Sequence, residues 1–194
     1  MPLAVDLDGT LCHTDTLFES LLLLLRTRPL QFISSLRLLG NRARFKQYVF
    51  SRVQLDLTSL DWNQPLIHYL REQRRVGRPM CLATAADNSI AQRVAADLGI
   101  FDRVIASTGG KNIKGPAKAL ELCALFGERK FVYAGDALAD CSVWEYSAGA
   151  IVVGDLQPRY SSGEFVPVEA RYAALRLTSL RGKALSIYMR LIDR

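Results

Sequence analysis

Five side chains suited to phosphoryl transfer occur at separated places in this chain of 194 residues: Asp6, Asp8, Thr84, Lys114 and Asp136. Phosphoryl transfer depends mainly on positioning and on charge neutralisation. An aspartate can attack phosphorus and form an aspartyl phosphate, which divides one difficult displacement into two easier ones. Asp6 is the candidate nucleophile. Asp8, two residues on and on the same side of an extended chain, is the candidate general acid–base.

The same residues predict a divalent metal site. Asp6, Asp136 and a backbone carbonyl near Asp8 offer hard oxygen ligands, which suit Mg²⁺. Such an ion would shield the carboxylates from a phosphate and stabilise charge in the transition state. Lys114 would offset negative charge from another side, and Thr84 would donate a hydrogen bond to a phosphoryl oxygen.

Each of these residues also has an ordinary explanation when it is taken alone. Asp8 with the following glycine is a common turn, and Lys114 could be a surface lysine. Thr84 and Asp140 could cap the N-termini of helices. Their joint occurrence just after predicted strands favours the chemical interpretation, because ligands of open α/β sheets bind beyond the carboxyl ends of the strands.

The elements that must position these residues follow from hydrophobic patterns. One short apolar strand is followed by four helical segments, and then strands and helices alternate, which predicts a parallel sheet with right-handed crossovers. We therefore predict an α/β fold with a Rossmann-like, doubly wound parallel sheet and a helical cap inserted after the first strand. The predicted units are a catalytic core (1–13 and 78–170), a helical cap (14–77) and a basic amphipathic C-terminal segment (171–194).

The motifs resemble those of the haloacid dehalogenase (HAD) superfamily. The matching residues are Asp6-Leu-Asp8-Gly9-Thr10-Leu11, Thr84, Lys114 within Ile113-Lys114-Gly115, and Gly135-Asp136 followed by Asp140. The resemblance implies Mg²⁺, an aspartyl-phosphate intermediate and, because the second acid is present at Asp8, a phosphatase or phosphotransferase rather than a dehalogenase. The helical cap resembles the phosphoserine-phosphatase-like branch.

Further site assignments accompany this resemblance. Gly9 and Thr10 are assigned to phosphate binding, and Asp140 to supporting the metal ligands. Asp15 is a candidate for reading a substrate group, with N-capping of the next helix as an equal alternative. Three alanine and leucine residues separate the acids of the last motif, so a small amino-acid phosphate is a doubtful substrate. A narrower resemblance, to the domain fused to UbiA-type polyprenyl transferases, rests on Thr14-Asp15, Phe18-Glu19-Ser20, Ala83-Thr84-Ala85 and the segment around Gly127.

Charge is distributed unevenly along the chain. The formal net charge is +6, yet seven Lys/Arg and no acid lie within 26–52, and six Lys/Arg with one acid lie within 171–194. Both segments are also apolar, and basic amphipathic helices commonly lie on anionic membranes. We therefore expect a lipid-linked or prenyl-related phosphate as substrate and peripheral membrane contact. The alternative is that both apolar stripes pack onto the core.

Other functional classes are less well supported. The four cysteines lack the spacing of a zinc or redox motif, and no basic leader precedes the first strand, so we expect a cytoplasmic protein. The sequence has no recognised nucleic-acid motif. Two alternatives stay open: a phosphotransferase or phosphomutase using the same intermediate, and a binding module that keeps the fold without turnover.

Overall fold

A parallel sheet of six strands forms the centre of the protein in a computed structural model, which describes residues 1–108 and 111–174. The order across the sheet is β3-β2-β1-β4-β5-β6, and every neighbouring pair is parallel. The strands are β1 (Leu3–Val5), β2 (Met80–Asp87), β3 (Arg103–Ser107), β4 (Val132–Gly135), β5 (Gly149–Val153) and β6 (Val168–Tyr172). The predicted doubly wound α/β fold is therefore confirmed.

Helices connect these strands. They are α1 (Thr16–Thr27), α2 (Pro29–Ser35), α3 (Arg42–Phe50), α4 (Gln64–Arg75), α5 (Asn88–Leu98), α6 (Pro116–Phe126) and α7 (Cys141–Trp144). Short 3₁₀ turns cover Leu36–Leu38, Leu57–Ser59 and Leu138–Asp140. Among the described residues no helix has the length and apolar character needed to cross a membrane.

The sheet is covered on both faces by helices. Side chains of successive β1 residues point to opposite faces, so Leu3 and Val5 join one apolar cluster and Ala4 joins the other. The first cluster includes residues of α4 and α5, and the second includes residues of α6 and α7. This three-layer arrangement buries β1 completely and holds the chain rigid just before Asp6.

The helices between β1 and β2 pack in two different ways. Helices α1 and α3 share a small apolar cluster of their own, built on Leu17, Leu21, Leu24, Phe45 and Val49. Helix α4 instead buries Leu66, Ile67 and Leu70 in the cluster on the sheet. The range predicted as a cap, 14–77, thus contains one helix that packs as part of the α/β core.

The last strand crosses the boundary predicted between the core and the C-terminal segment. The predicted basic segment, 171–194, begins inside β6, because Arg171 and Tyr172 pair with Val152 and Val153 of β5. Strand β6 extends the sheet beyond the strands predicted from sequence. The remainder of that predicted segment, 175–194, lies outside the described residues.

The strand order places a crevice beside β1. The chain runs outward in one direction through β2 and β3 and in the other through β4, β5 and β6. At such a switch point the connections leave the sheet on opposite faces, and ligands bind beyond the carboxyl ends of the strands. Asp6 follows β1 and Asp136 follows β4, so both lie at this crevice.

Candidate active site

A cleft of about 510 Å³ opens at the carboxyl ends of β1, β2 and β4. It brings together eight of the nine residues that the sequence singled out: Asp6, Asp8, Gly9, Asp15, Thr84, Lys114, Asp136 and Asp140. The ninth, Thr10, is fully buried behind the cleft. Residues far apart in the sequence therefore form one site between the sheet and helices α1 and α3.

Asp6 is held by two partners. Its Oδ1 accepts a hydrogen bond from the backbone N–H of Leu7 at 2.8 Å. Its Oδ2 lies 2.9 Å from Nζ of Lys118, a residue of α6. Burial raises the pKa of Asp6, while the ammonium of Lys118 opposes that shift. One carboxylate face is thus fixed by a buried cation, and the side chain still lines the cleft.

Lys118 belongs to a buried polar network that the sequence analysis did not identify. Its Nζ donates to the hydroxyl of Tyr133 at 2.7 Å and lies 3.6 Å from Oδ1 of Asp140. Burial acts to lower the pKa of Lys118, but the carboxylates of Asp6 and Asp140 outweigh it and the pKa is raised. The two carboxylates therefore favour the protonated form of this lysine. A sequence signal existed, because Lys118, Ala119 and Leu122 lie on the buried face of α6, where a cation needs a partner.

Asp140 has its acceptor capacity largely occupied. Its Oδ2 accepts the backbone N–H groups of Asp136 at 3.1 Å and Ala137 at 3.0 Å. Its Oδ1 accepts the Tyr133 hydroxyl at 2.7 Å. A Cβ on Gly135 would lie 2.7 Å from the same carboxylate, so that position has room only for glycine. Asp140 consequently fixes the loop that carries Asp136.

Asp136 is oriented from the Asp6–Thr10 loop. The Thr10 hydroxyl donates to its Oδ1 at 2.9 Å. Gly9 has a φ of +80°, and a Cβ there would lie 2.2 Å from its Oδ2. Burial raises the pKa of Asp136 to about 8, with the charges of Asp140 and Asp6 adding to the effect. Thr10 thus orients Asp136 through its hydroxyl, and the absence of a side chain on Gly9 leaves the space that this carboxylate occupies; phosphate binding by these two residues stays a prediction.

Asp8 and Asp15 meet the N-terminus of α1. The backbone N–H of Thr16 donates to Oδ1 of Asp8 at 2.8 Å, and that of Phe18 donates to Oδ1 of Asp15 at 2.9 Å. Helix N-termini favour such anions. Burial raises the pKa of Asp8 to about 7, and the charge of Asp15 contributes. Asp15 both caps α1 and lines the cleft, so its two predicted roles are compatible.

The remaining predicted residues, Thr84 and Lys114, lie on other walls of the cleft. Thr84 is fully buried within β2, and its Oγ1 accepts the backbone N–H of Ala86 at 3.0 Å, which leaves its own hydroxyl hydrogen available for donation. Lys114 lies two residues before the start of α6. From the other side, Nζ of Lys46 on α3 donates to the carbonyl of Ala85 at 2.6 Å and so ties the first three helices to the sheet.

The donor set fits a hard divalent cation. Carboxylate oxygens of Asp6, Asp136 and Asp140 lie within 4.8 Å of one another. Asp140 is committed to three hydrogen bonds, so Asp6 and Asp136 are the carboxylates with capacity for an ion. Both have pKa values raised by burial and by neighbouring acids, which is the electrostatic situation that a bound cation relieves. Two carboxylates with accompanying water suit Mg²⁺.

Comparison with solved structures defines the fold. Phosphoserine phosphatase in its apo form superposes with a TM-score of 0.57 at 13% identity, covering 88% of this chain and 92% of that one. A HAD family hydrolase from Salmonella enterica serovar Typhi gives 0.56 at 16% identity, covering 77% and 61%. A dehalogenase with an intermediate complex gives 0.55 at 15% identity, covering 100% and 97%. The chain therefore has the HAD fold.

Sequence comparison adds one relative. The uncharacterized protein y4nM of Sinorhizobium fredii is 35% identical over 156 residues, which are 80% of this chain. The matched part spans only 30% of the length of y4nM. No protein-family model matches the chain.

Proposed function

We propose that this protein is a Mg²⁺-dependent phosphatase that hydrolyses a phosphomonoester through an aspartyl phosphate on Asp6. The observation that carries the proposal is the position of Asp6, at the switch point beside Asp136 and paired with a buried lysine. A phosphoserine phosphatase captured with an analogue of its phospho-aspartyl intermediate has the same fold, with a TM-score of 0.54 at 15% identity. That likeness supports the reaction class.

The reaction divides into two displacements. A carboxylate oxygen of Asp6 attacks phosphorus, the bond from phosphorus to the substrate oxygen breaks, and the Asp8 carboxyl gives its proton to the departing alkoxide. Water then attacks phosphorus, loses a proton to Asp8 and releases inorganic phosphate together with the Asp6 carboxylate. Thr16 N–H holds Asp8 at 2.8 Å, so the acid–base is oriented throughout.

Four other residues support charge and position. Lys118 keeps a positive charge 2.9 Å from the nucleophile, and Thr84 has a hydroxyl available for a phosphoryl oxygen. Asp6 and Asp136 would hold Mg²⁺, with a backbone carbonyl near Asp8. Bound there, the ion supplies charge neutralisation and Lewis-acid polarisation of the phosphoryl group. Lys114, on the cleft wall, is proposed to bind phosphate or a neighbouring anionic group.

We further propose that the leaving group is apolar, as in a lipid-linked or prenyl-related phosphate. The cleft is lined on its outer side by Leu17 of α1, Phe50 of α3 and Leu138. Leu138 is 78% exposed at the mouth. Apolar walls beside a polar end favour a substrate that combines a phosphate with a hydrocarbon chain. The resemblance to the domain fused to UbiA-type polyprenyl transferases points to the same class.

A substrate screen tests the proposal. Phosphate release is measured from prenyl monophosphates, short alkyl phosphates, sugar phosphates and phosphoserine, with Mg²⁺ or with EDTA. We expect Mg²⁺-dependent release that increases with chain length, and a phosphorylated peptide containing Asp6 after acid quenching. Asp6→Asn should be inactive, while Asp97→Asn, on the exposed face of α5, should match the wild type. An added alcohol that captures the phosphoryl group would indicate a phosphotransferase.

Metal binding is tested separately from activity. Mg²⁺ should raise the melting temperature of the wild type, because a ligand that binds only the native state stabilises by about 2.7 kcal/mol at a hundred times its Kd. Asp136→Asn should abolish that rise. Full activity in Asp6→Asn, or a Mg²⁺ effect that persists in Asp136→Asn, would contradict the assignment of these residues.

A further inference from the structure

An exposed apolar surface covers the C-terminal end of α1, helix α2 and the 3₁₀ turn that follows it. Twelve large apolar side chains are exposed among the described residues, and five of them fall within 25–39. We call this set the apolar face; it consists of Leu25 (45% exposed), Leu30 (79%), Ile33 (58%), Leu36 (44%) and Leu39 (51%). Single exposed leucines are ordinary, but a concentration of this kind marks an interaction surface.

The spacing of these residues places most of them in one stripe. Leu30 and Ile33 are three residues apart on α2, and Leu36 begins the 3₁₀ turn that ends just before Leu39. Residues i and i+3 share a face in an α-helix and eclipse one another in a 3₁₀ helix. The opposite side of α2 is already used, because Ser35 is buried and Phe32 packs against the small cluster of α1 and α3.

Exposed arginines accompany the apolar face along the chain. Arg26, Arg28 and Arg37 are all exposed and alternate with its residues along the chain. No aspartate or glutamate occurs between Glu19 and Asp56. A second copy of the same face would bring like charges together, whereas an anionic partner would complement them.

We propose that the apolar face and its arginines dock this protein onto an anionic lipid surface. Leucine and isoleucine side chains enter the boundary between headgroups and acyl chains, while arginines at their edge contact the phosphates. The length of α1 sets the distance between the apolar face and the cleft. Thr16, at the first turn, holds Asp8, and the helix of 12 residues ends beside the apolar face about 17 Å away.

Vesicle binding by the full chain tests the proposal. Flotation is measured with phosphatidylcholine vesicles, with and without phosphatidylglycerol, for the wild type and two matched pairs of double variants. Leu30→Gln with Ile33→Gln is compared with Val76→Gln and Leu120→Gln, two apolar residues exposed elsewhere. None of the four lines the cleft, so turnover of a soluble phosphate ester should be unchanged in both variants.

A second pair of double variants tests how much the arginines contribute to vesicle binding. Arg26→Gln with Arg28→Gln is compared with Arg71→Gln and Arg75→Gln on α4. Each arginine near an anionic surface contributes about a fivefold increase in affinity, so the first pair should lose about 25-fold and the second should change little. High salt should weaken wild-type binding in the same direction.

The expected result is binding only to vesicles with phosphatidylglycerol, at least tenfold weaker in the Leu30/Ile33 variant and unchanged in its control. Absence of wild-type binding would overturn the proposal, as would full binding by the Leu30/Ile33 variant. Sedimentation velocity distinguishes a second copy as the occupant: self-association that this variant abolishes would also overturn the lipid assignment. Failure of phosphatase activity would leave these outcomes unaffected, because vesicle binding is read without substrate.

Discussion

Replacing Lys118 with methionine isolates the role of the buried cation. Methionine keeps an unbranched side chain of similar length and removes the charge. The variant would leave Asp6, Asp140 and the Tyr133 hydroxyl facing one another without their shared donor. We expect a large loss of stability in the metal-free protein and a large loss of turnover, since stability and catalysis both depend on this charge.

The geometry sets the scale of both losses. With an effective dielectric constant of about 20, Coulomb's law gives about 6 kcal/mol at 2.9 Å and about 5 kcal/mol at 3.6 Å, the separations of Lys118 from Asp6 and Asp140. Desolvation offsets much of this attraction, and removing one member of a buried pair typically costs about 3–5 kcal/mol. Loss of one preorganised transition-state contact lowers kcat about 10²–10³-fold.

Two measurements check these magnitudes. Urea unfolding in EDTA, followed by tryptophan fluorescence, should show the free energy of unfolding reduced by about 3–5 kcal/mol in Lys118→Met. Trp144 packs edge-on against Tyr133 and so reports on this region. Lys111→Met is the matched control, because Lys111 pairs with Glu121 on the surface and should change stability by less than about 1 kcal/mol.

A milder variant covers the case in which Lys118→Met does not fold. Tyr133→Phe removes one hydroxyl that links Lys118 to Asp140 and should cost about 1–3 kcal/mol. The reasoning is refuted if Lys118→Met retains wild-type stability and turnover. If Lys114→Met then loses turnover, the lysine predicted from sequence is the functional one.

Two further predictions concern backbone space and helix packing. Gly9→Ala should abolish turnover, because its Cβ would fall 2.2 Å from the Asp136 carboxylate. Gly163→Ala is the control, since Gly163 also has a positive φ but has open space around it. That variant should keep full turnover and lose only about 1 kcal/mol of stability. Leu70→Ala on α4 should reduce the free energy of unfolding, measured in urea, by about 2–5 kcal/mol because Leu70 is fully buried on the sheet. Leu30→Ala, at an exposed position, should leave it nearly unchanged. A loss for Leu70→Ala as small as that for Leu30→Ala would contradict the packing of α4 on the sheet.

Sequence reasoning located five of the six described strands and placed eight of its nine site residues in one cleft for a physical reason. Acids and hydroxyls directly after short apolar runs are conspicuous, and the parallel sheet brings them together. Strand β6 was missed because Val168–Tyr172 is an edge strand with mostly exposed side chains, so its apolar signal is weak. The packing of α4 was equally ambiguous, since apolar residues at 66, 67 and 70 suit a cap or a core helix.

Lys118 was missed because helical lysines are usually solvated, although it lies one turn before Leu122 on the buried face of α6. Its partners in the structure distinguish it from a solvated lysine. Hydrogen-bond partners also distinguish Asp6 from Asp140, whereas the proximity of these two acids does not. The carboxylate oxygens of Asp140 accept hydrogen bonds from two backbone N–H groups and from a phenol, so Asp140 holds the loop in place. Asp6 has one backbone donor and one buried cation, which leaves lone pairs directed to the cleft. Hydrogen-bond occupancy therefore favours Asp6 over Asp140 as the proposed nucleophile, although both belong to one acidic cluster.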